Sequence, residues 1–339
     1  MQINVLFITE LNPYGSSSYG GAESSSRLLA EKLGNLGFSV WYLTKNVTSK
    51  QRDKATAYNV KLCRFGKIPR ARKFRVIRKT NLWLLSFSIL IKCLVLKTQI
   101  IYCFYEPTVL EAALLVKRLL PRIKIVMRMA GMHWYKKSVE NEYWREKYSR
   151  YFSRVDAVNF ISNDLVSMTK AAMRELSMED VKFKDSFVLD IGSSSVVGRK
   201  MNYRSSVSKP FRLVMATRFA DYQKRQDILL RAIALIPEHE QIELILIGDG
   251  VKRAEAERLA KELKVEDCVT FKSFMRQEEL WNTMEEAQLL CHCVDYEGLG
   301  KVILESMARG LPVLVSDVRP LNTYIESDNN GFLVENDPA

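Results

Sequence analysis

The chain has 339 residues, enough for two domains of ordinary size, and 47% of them are apolar, which predicts buried cores. Its six cysteines show no C-x-x-C or metal-ligand spacing, which excludes a cysteine metal centre and favours reduced thiols in a reducing compartment. The first ten residues lack the basic region and cleavage site of a signal peptide and predict a strand, so we expect a cytoplasmic protein.

Predicted strands and helices alternate through the N-terminal half. The strands cover residues 3–9, 38–43, 100–104, 123–127 and 157–161, and the helices cover residues 23–36, 109–120 and 141–152. Strands that alternate with helices indicate a doubly wound parallel sheet. Ser162 follows the last of these strands and is a predicted helix cap.

Two glycine-containing turns of this half follow predicted strands. Gly20 and Gly21 lie directly before the first helix, so flexible backbone and a helix N-terminus would stand beside a ligand. His133 follows the strand at residues 123–127, with Gly131 just before it. A lone histidine is more often an ordinary surface or core residue, so this position alone does not assign a function.

The positive charge of the chain is concentrated in one stretch. Residues 54–105 contain twelve Lys or Arg and no Asp or Glu, which equals the net charge of +12 for the whole chain. Such a cluster favours an anionic surface, either lipid headgroups or nucleic acid. Only Phe65 and Phe74 are interleaved with the cations of residues 64–79, which argues against nucleic-acid binding.

An apolar segment at residues 82–96 follows these cations and leaves two interpretations open. Its 15 residues and Lys92 make it too short and too charged to span a bilayer. It is either a buried helix behind a solvated basic loop or part of a membrane-facing surface. We expect the helix mainly to fill the core, with at most one edge touching lipid. We also expect six cations to bind anionic lipid reversibly, with release by high salt. These cations are Arg70, Arg72, Lys73, Arg75, Arg78 and Lys79.

A Ser- and Lys-rich stretch near residues 190–209 separates two series of alternating elements. The predicted organisation is therefore an N-terminal domain at 1–190, a linker at 191–209 and a C-terminal domain at 210–339. Predicted elements of the second domain are strands at 211–216, 243–247, 269–271, 288–294 and 311–315 and a helix at 277–286.

The densest pattern of the chain lies at residues 290–317. A buried strand is followed by a loop with Gly298, Leu299 and Gly300, a helix that ends at Gly310, and a second strand. Such a loop lies at the carboxyl edge of a parallel sheet, where ligands bind. The glycines allow close approach of backbone N–H groups, and the helix N-terminus suits a phosphate.

Two carboxylates flank this loop. Glu297 precedes it, and Glu305 lies about two helical turns into the helix. A carboxylate repels phosphate but accepts hydrogen bonds from sugar hydroxyls, so the arrangement describes a site for a nucleotide sugar. An ordinary strand–helix–strand turn with two surface glutamates would explain the glycines but not the whole pattern.

The residues from 297 to 313, EGLGKVILESMARGLPV, resemble the E-x7-E signature of the retaining, family-four (group 1) nucleotide-sugar glycosyltransferases. Residues 19–23, YGGAE, resemble the Gly-Gly-x-Glu turn of that family, and residues 248–250 resemble its Gly-x-Gly turn. The resemblance implies the GT-B architecture: two Rossmann-like, doubly wound parallel-sheet domains that face a cleft. It also implies that further helices follow residue 339, so that the C-terminal domain is truncated here.

The resemblance implies a role for each matching residue of the second domain. Glu305 would hold the ribose of the donor, and Glu297 would hold the hydroxyls of its sugar. Residues 298–300 would cradle the diphosphate or the sugar. Arg218 and Lys224 match positions at which the family carries an Arg and a Lys, and they would stabilise the leaving phosphates.

In the first domain, His133 would lie near the donor sugar, and Gly20 and Gly21 would contact substrate. The implied enzyme transfers a sugar from a UDP-sugar or GDP-sugar to a glycan or lipid-linked acceptor with retention, without cofactor or metal. Its implied role is cell-surface polysaccharide or glycolipid synthesis at the inner face of the membrane, with no nucleic-acid partner.

Three alternatives remain beside this hypothesis. The fold could serve a nucleotide-sugar epimerase or phosphorylase, or the chain could be an inactive nucleotide-sugar-binding module. A third alternative is a nucleic-acid binder, which the few aromatics among residues 64–79 disfavour. Residues 295–297, Asp-Tyr-Glu, are also similar to an Asp-x-Asp metal pair, but the resemblance needs no metal and assigns Glu297 to the sugar.

Overall fold

A computed structural model describes residues 2–10, 12–14, 21–64, 75–104, 106–189, 210–219 and 223–338. The chain divides into two compact units, and the division falls after residue 191. The predicted linker at 191–209 and the predicted ligand residue Gly20 lie outside the described residues. We call the two parts the N-terminal unit and the C-terminal unit and describe each by itself.

The described residues of the N-terminal unit form a seven-stranded parallel sheet with helices between its strands. The strands are β1 (Asn4–Ile8), β2 (Ser39–Thr44), β3 (Val60–Arg64), β4 (Ile100–Phe104), β5 (Lys124–Met129), β6 (Ala157–Phe160) and β7 (Ser186–Val188). The helices are α1 (Gly21–Asn35), α2 (Ser49–Thr56), α3 (Arg75–Val95), α4 (Pro107–Leu119), α5 (His133–Glu140), α6 (Glu142–Arg154) and α7 (Asn163–Glu175). The strand order is β3-β2-β1-β4-β5-β6-β7, which is doubly wound about β1.

Local signals explain where several of these helices begin and end. The Ser162 hydroxyl accepts a hydrogen bond from the Leu165 N–H at 3.1 Å, so the predicted cap of α7 is confirmed. Thr48 and Gln51 form a reciprocal capping box at the start of α2. Gly37, at φ +88°, turns the chain from α1 into β2 in a conformation that favours glycine.

The helix α3 differs from its sequence-based prediction. Leu85, Ile89 and Cys93 point into the core, as expected for a helix of an α/β unit. The opposite face is exposed, and Trp83 keeps 69% of its surface in solvent. Only one side of this helix therefore fills the core. A segment that is apolar on nearly every side, with Lys92 as its one charge, does not reveal in advance which face is covered.

The described residues of the C-terminal unit form a six-stranded parallel sheet in the order β10-β9-β8-β11-β12-β13. Its strands are β8 (Phe211–Ala216), β9 (Ile242–Ile247), β10 (Val269–Lys272), β11 (Leu289–His292), β12 (Val313–Ser316) and β13 (Phe332–Val334). Its helices are α8 (Gln226–Leu235), α9 (Arg253–Glu262), α10 (Gln277–Glu285) and α11 (Lys301–Met307). Both faces of the sheet are covered by apolar clusters, one around Leu230 and Leu246 and the other around Leu290 and Ile303.

All six cysteines are buried and free, in agreement with the predicted reduced thiols. Within the described ranges, no helix combines the length and the apolar character needed to cross a bilayer.

Candidate functional site

Two loops meet at the carboxyl edge of the C-terminal sheet. One follows β8 and the other follows β11, and these strands are neighbours in the sheet. The Arg225 N–H donates to the Cys293 carbonyl at 2.9 Å, and the Asp295 N–H donates to the Gln223 carbonyl at 3.0 Å. Lys224 forms an isolated bridge with Val294 between these two bonds. The backbone thus holds Lys224 beside the end of β11.

Side chains strengthen this connection between the loops. Arg225 pairs with Asp295 at 2.8 Å and with Asp227 at 3.0 Å, so one guanidinium joins the β11 loop to the start of α8. The Gln223 side-chain amide donates to the Tyr296 carbonyl at 3.2 Å. The position of Lys224 is therefore set on both sides along the chain.

Glu297 is the centre of the site. One of its carboxylate oxygens, Oε2, is bonded by both the Lys224 ammonium and the His292 Nε2, the latter at 2.9 Å. The other oxygen, Oε1, accepts the N–H of Gly298 at 2.8 Å. The Glu297 side chain is only 13% exposed, so this carboxylate is largely withdrawn from water. The structure brings together two predicted site residues, Glu297 and Lys224, at the start of the predicted glycine loop.

The charge of this carboxylate is stabilised by its neighbours. Burial alone would raise the pKa of Glu297, but the Lys224 ammonium and the His292 hydrogen bond outweigh it and hold the pKa well below its usual range. Glu297 is therefore an anion at neutral pH. A buried anion with a matched cation and two further donors is a fixed acceptor of hydrogen bonds.

His292 was not among the residues predicted from the sequence. Burial lowers the pKa of its imidazole, and the Lys224 charge lowers it further, so the ring is neutral at neutral pH. Its Nδ1 is buried and has no hydrogen-bond partner in the described part of the chain. The tautomer with hydrogen on Nε2 fits best, because it donates to Glu297 and leaves an unprotonated Nδ1 in the apolar core. The signal in the sequence is a histidine in a buried strand, five residues before the glutamate.

The predicted glycine loop is packed against a tyrosine that sequence analysis also missed. Gly300 has φ +67°, and a Cβ at this position would lie 2.7 Å from an Ile303 methyl group and 2.9 Å from the Tyr324 hydroxyl. The Tyr324 hydroxyl donates to the Leu299 carbonyl at 2.7 Å. Burial and the nearby Glu297 charge raise the pKa of Tyr324 above its usual range, so the phenol stays a donor. Glycine is thus required at 300 by both conformation and space.

Glu305 lies in α11 and is 3% exposed. Its Oε1 accepts a hydrogen bond from the Gln277 side-chain amide at 2.7 Å and lies 3.2 Å from the Lys301 ammonium. The Arg309 guanidinium bonds the Glu305 carbonyl at 3.1 Å and stacks on the Trp281 ring. These contacts fix the predicted ribose acceptor in place from α10 and from its own helix.

Arg218 is placed differently from Lys224. Its side chain is exposed at the same edge of the sheet, and no contact joins it to Glu297. Its backbone is pressed against the predicted Gly-x-Gly turn: a Cβ on Gly248 would lie 2.1 Å from the Thr217 carbonyl oxygen and one on Gly250 would lie 2.2 Å from the Phe219 carbonyl oxygen. These glycines therefore allow the β9 turn to support the loop that carries Arg218.

The predicted residues of the N-terminal unit lie at the carboxyl ends of its own strands. His133 is exposed and is the first residue of α5, which follows β5. Gly21 is the first residue of α1, which follows β1. Their places at strand ends agree with the sequence analysis, and their roles stay predictions.

Asp295 belongs to the Asp-Tyr-Glu stretch that is similar to a metal pair. Its carboxylate accepts from Arg225 and lies 3.3 Å from the Asn336 side-chain amide. The described ranges contain no group of three His, Cys, Asp or Glu side chains arranged to hold a metal ion.

Residues 200–339 match the protein family described as Glycosyl transferases group 1. An uncharacterized glycosyltransferase of Methanocaldococcus jannaschii is 33% identical over 137 residues, which is 40% of this chain and 35% of that protein. The D-inositol 3-phosphate glycosyltransferase of Streptomyces avermitilis is 33% identical over 127 residues, which is 34% of this chain and 27% of that protein. The chain thus spans only about a third of the length of these curated relatives.

Solved structures extend the likeness in fold to nearly the whole chain. The sucrose-phosphate synthase of Thermosynechococcus elongatus has a TM-score of 0.76 at 19% identity, and the Anabaena protein HepE in complex with UDP-glucose has a TM-score of 0.71 at 18% identity. Each comparison covers 98% of this chain and 86% of the other chain. The predicted GT-B fold class and the resemblance to group 1 glycosyltransferases are confirmed.

Proposed function

We propose that this chain, whose C-terminal unit matches the group 1 glycosyl transferases and whose fold is GT-B, is a glycosyltransferase that uses a nucleotide diphosphate sugar. The observation that carries the proposal is the cluster of Lys224, Glu297 and His292 beside the loop of residues 298–300. A fixed carboxylate, a cation and a tightly packed glycine loop at one sheet edge suit a ligand that combines hydroxyls with phosphates.

In the proposed complex, Glu297 accepts hydrogen bonds from the hydroxyls of the donor sugar, and Glu305 accepts those of the ribose. Lys224 and Arg218 stabilise the diphosphate, on which negative charge grows as the bond to the sugar breaks. Arg218 is exposed and can turn toward the ligand, whereas Lys224 is held at Glu297 and shares its charge between carboxylate and phosphate. The loop of Gly298, Leu299 and Gly300 cradles diphosphate or sugar.

The proposed reaction retains the anomeric configuration. The acceptor hydroxyl attacks the anomeric carbon on the face from which the diphosphate leaves, the bond between that carbon and the phosphate oxygen breaks, and the leaving phosphate takes the acceptor proton. His133 is proposed to lie near the donor sugar, and Gly20 and Gly21 to contact substrate. No metal or cofactor is required in this scheme, since cationic side chains stabilise the leaving group.

The finer identity of the partners follows from the resemblance and the charge pattern. HepE has been solved with UDP-glucose, which supports a UDP-sugar as donor here, with a GDP-sugar as the other option. The proposed acceptor is a glycan or lipid-linked glycan at an anionic membrane surface, because residues 54–105 carry the whole net charge of the chain. The proposed location is the cytoplasm, at the inner face of the membrane, and the proposed role is cell-surface polysaccharide or glycolipid synthesis.

Donor binding is the first test of the proposal. Calorimetric titration with UDP, GDP and their sugars should show saturable binding of one series. Glu305→Gln should weaken it by about 1.5–3 kcal/mol, the range for hydrogen bonds to a charged group. Glu278→Gln, an exposed acid next to Gln277 in α10, is the matched control and should bind as the wild type. Equal binding by Glu305→Gln would remove the ribose role of this residue.

Product analysis is the second test. Incubation of donor with lipid-linked acceptors should yield a new glycosidic bond of unchanged anomeric configuration, and EDTA should not abolish it. Isomerised donor without transfer would favour the epimerase alternative. Activity lost to EDTA and restored by Mn²⁺ would return residues 295–297 to consideration as a metal site.

A further inference from the structure

Helix α3 has one apolar face that the N-terminal unit does not cover. Its inward side is formed by Leu85, Ile89 and Cys93, together with Ser86, and packs toward α4. Six large apolar side chains point the other way, and each of them is at least 42% exposed. They are Trp83, Leu84, Phe87, Ile91, Leu94 and Val95. We call this set the α3 face.

The α3 face is continuous along the helix. At 100° per residue, its six members fall within an arc of about 120°, and the buried residues of α3 lie on the opposite side. From Trp83 to Val95 it extends about 18 Å, at 1.5 Å per residue. Scattered exposed apolar residues are ordinary, but a contiguous stripe of this size marks an interaction surface.

The stretch of sequence that contains the α3 face carries charge of one sign. Residues 54–105 hold twelve cations and no acid, and ten of the cations precede the face in the sequence. Where side chains are described, Lys54, Lys61, Arg64 and Lys97 are exposed. Lys92 of α3 lies close enough to β3 to act on the Cys63 thiol, so basic groups reach the neighbouring edge of the sheet. An apolar stripe within a stretch of sequence that carries cations and no acid is complementary to anionic headgroups above acyl chains.

We propose that the α3 face lies in the interfacial plane of an anionic bilayer. Its apolar side chains would insert between the lipids, and the described cations Lys61, Arg64 and Lys97 would lie at the headgroups. The proposal rests on the membrane contact included in the proposed function, and it adds the inserting surface and its chemistry. Helices with Trp, Phe and Leu on one face and Lys and Arg beside it bind membranes in this way.

A second copy of the chain fits the α3 face less well. In a two-fold dimer the same patch lies on both sides of the interface, so two stretches of charge +12 would be brought together without an intervening acid. An anionic bilayer instead supplies the opposite charge, worth about 1 kcal/mol for each cation near the surface. The observations therefore favour lipid.

Insertion changes the expected response to salt. Cations at a surface are screened within about 8–10 Å at moderate salt, whereas burial of apolar side chains is not weakened by screening. Binding to anionic vesicles should thus fall with salt but persist at high salt. This differs from the complete release expected from the basic stretch alone.

The test compares two double variants by co-sedimentation with vesicles of phosphatidylcholine and phosphatidylglycerol. Trp83→Ser with Phe87→Ser removes two exposed members of the α3 face. Leu235→Ser with Val251→Ser is the matched control, because both of its residues are exposed apolar side chains outside the basic stretch. The first variant should bind at least about tenfold more weakly, or about 1.4 kcal/mol, and the control should bind as the wild type.

A second measurement reports insertion directly. Vesicles with brominated acyl chains should quench tryptophan fluorescence of the wild type, and Trp83→Phe should remove most of this quenching while binding is retained.

Equal binding by both double variants, or absence of Trp83 quenching, would overturn the proposal. So would a concentration-dependent dimer that Trp83→Ser with Phe87→Ser abolishes. Donor titration on the same variants separates this failure from failure of the enzyme proposal, since the α3 face lies in the other unit from the proposed donor residues.

Discussion

The two units bury charge in different ways. In the C-terminal unit, the buried Glu297 carboxylate meets the Lys224 ammonium and the His292 ring at the edge of the sheet. In the N-terminal unit, the Arg128 guanidinium is 1% exposed, and the hydrogen-bond partners that the described residues provide are all neutral. They are the Tyr102 hydroxyl at 3.2 Å, the Asn159 side-chain carbonyl at 2.8 Å and the Ser25 hydroxyl at 3.1 Å.

This difference distinguishes a candidate ligand site, around Glu297, from a structural support, around Arg128. Arg128 joins β4, β5, β6 and α1, so its hydrogen bonds hold the central strands together, and its Nε lacks a partner in the described residues. Glu297 and Lys224 lie in two loops at strand ends, where a ligand can compete for the same charges. Replacing one member of a buried ion pair leaves the other charge buried and unpaired. Replacing a guanidinium held by neutral groups leaves no unpaired charge behind.

The largest effect is expected for Lys224→Met. Glu297 would keep its burial but lose its cation, which should cost about 3–5 kcal/mol in the free energy of unfolding at neutral pH. Turnover of donor should fall about 100-fold or more, the scale for one group that stabilises developing charge. Urea unfolding and initial rates measure the two effects. Adding Glu297→Gln should restore most of the stability and none of the activity, and a single variant as stable as the wild type would contradict the buried pair.

Arg218→Gln should separate activity from stability. The side chain is exposed, so the free energy of unfolding should change by no more than about 0.5 kcal/mol. If Arg218 acts as phosphate charge grows, kcat should fall about tenfold or more while the donor KM changes little. Steady-state kinetics over a donor range decide this, and an effect on KM alone would limit Arg218 to ground-state binding.

His292→Gln should alter the pH dependence of stability. Because the pKa of His292 is lowered on folding, the unfolded chain binds its proton first as pH falls below about 6.5, and the folded state is destabilised. The free energy of unfolding then falls by up to about 1.4 kcal/mol per pH unit, until the pH drops below the lowered pKa of the folded state. Glutamine can still donate to Glu297 but does not titrate, so the slope should become shallower between pH 6.5 and 5.

The matched control for this variant is His239→Gln, since His239 bonds the Ile236 carbonyl and contacts no site residue named here. This variant should show the same slope of unfolding free energy against pH as the wild type between pH 6.5 and 5. Identical slopes for the wild type and His292→Gln, measured by urea unfolding at several pH values, would show that His292 does not stay neutral on folding.

A small effect, on stability alone, is expected for Arg128→Met. Methionine fills a similar space, and Asn159 keeps the hydrogen bond from the Tyr102 hydroxyl at 2.6 Å, so stability should change by about 1 kcal/mol or less. Tyr102→Phe, which removes the bond to Asn159 and the bond from Arg128 but leaves the guanidinium two other neutral partners, should cost a similar amount. A loss of several kcal/mol in Arg128→Met alone would reveal an anionic partner of the guanidinium and remove the contrast between the units.

Patterns of residues close together in the sequence predicted much of the fold. Runs of apolar residues predicted the strands β4 and β8 with the ends that the structure has, because a strand buried on both faces has an apolar residue at nearly every position. The Ser162 cap and the glycine loop at 298–300 were equally local, since each depends on residues a few positions apart. The conformational demand on Gly300 could therefore be inferred before its neighbours were known.

Tertiary structure alone decided which charged side chains form ion pairs and which face of a helix is covered. Lys224 and Glu297 are 73 residues apart and meet only because β8 and β11 are adjacent in the sheet. His292 lies in an apolar strand and gains its role from the same adjacency. The segment at residues 82–96 is apolar on nearly every side, so its periodicity could not reveal an uncovered face. Such contacts depend on strand order and helix orientation, which are set by the packing of the whole unit.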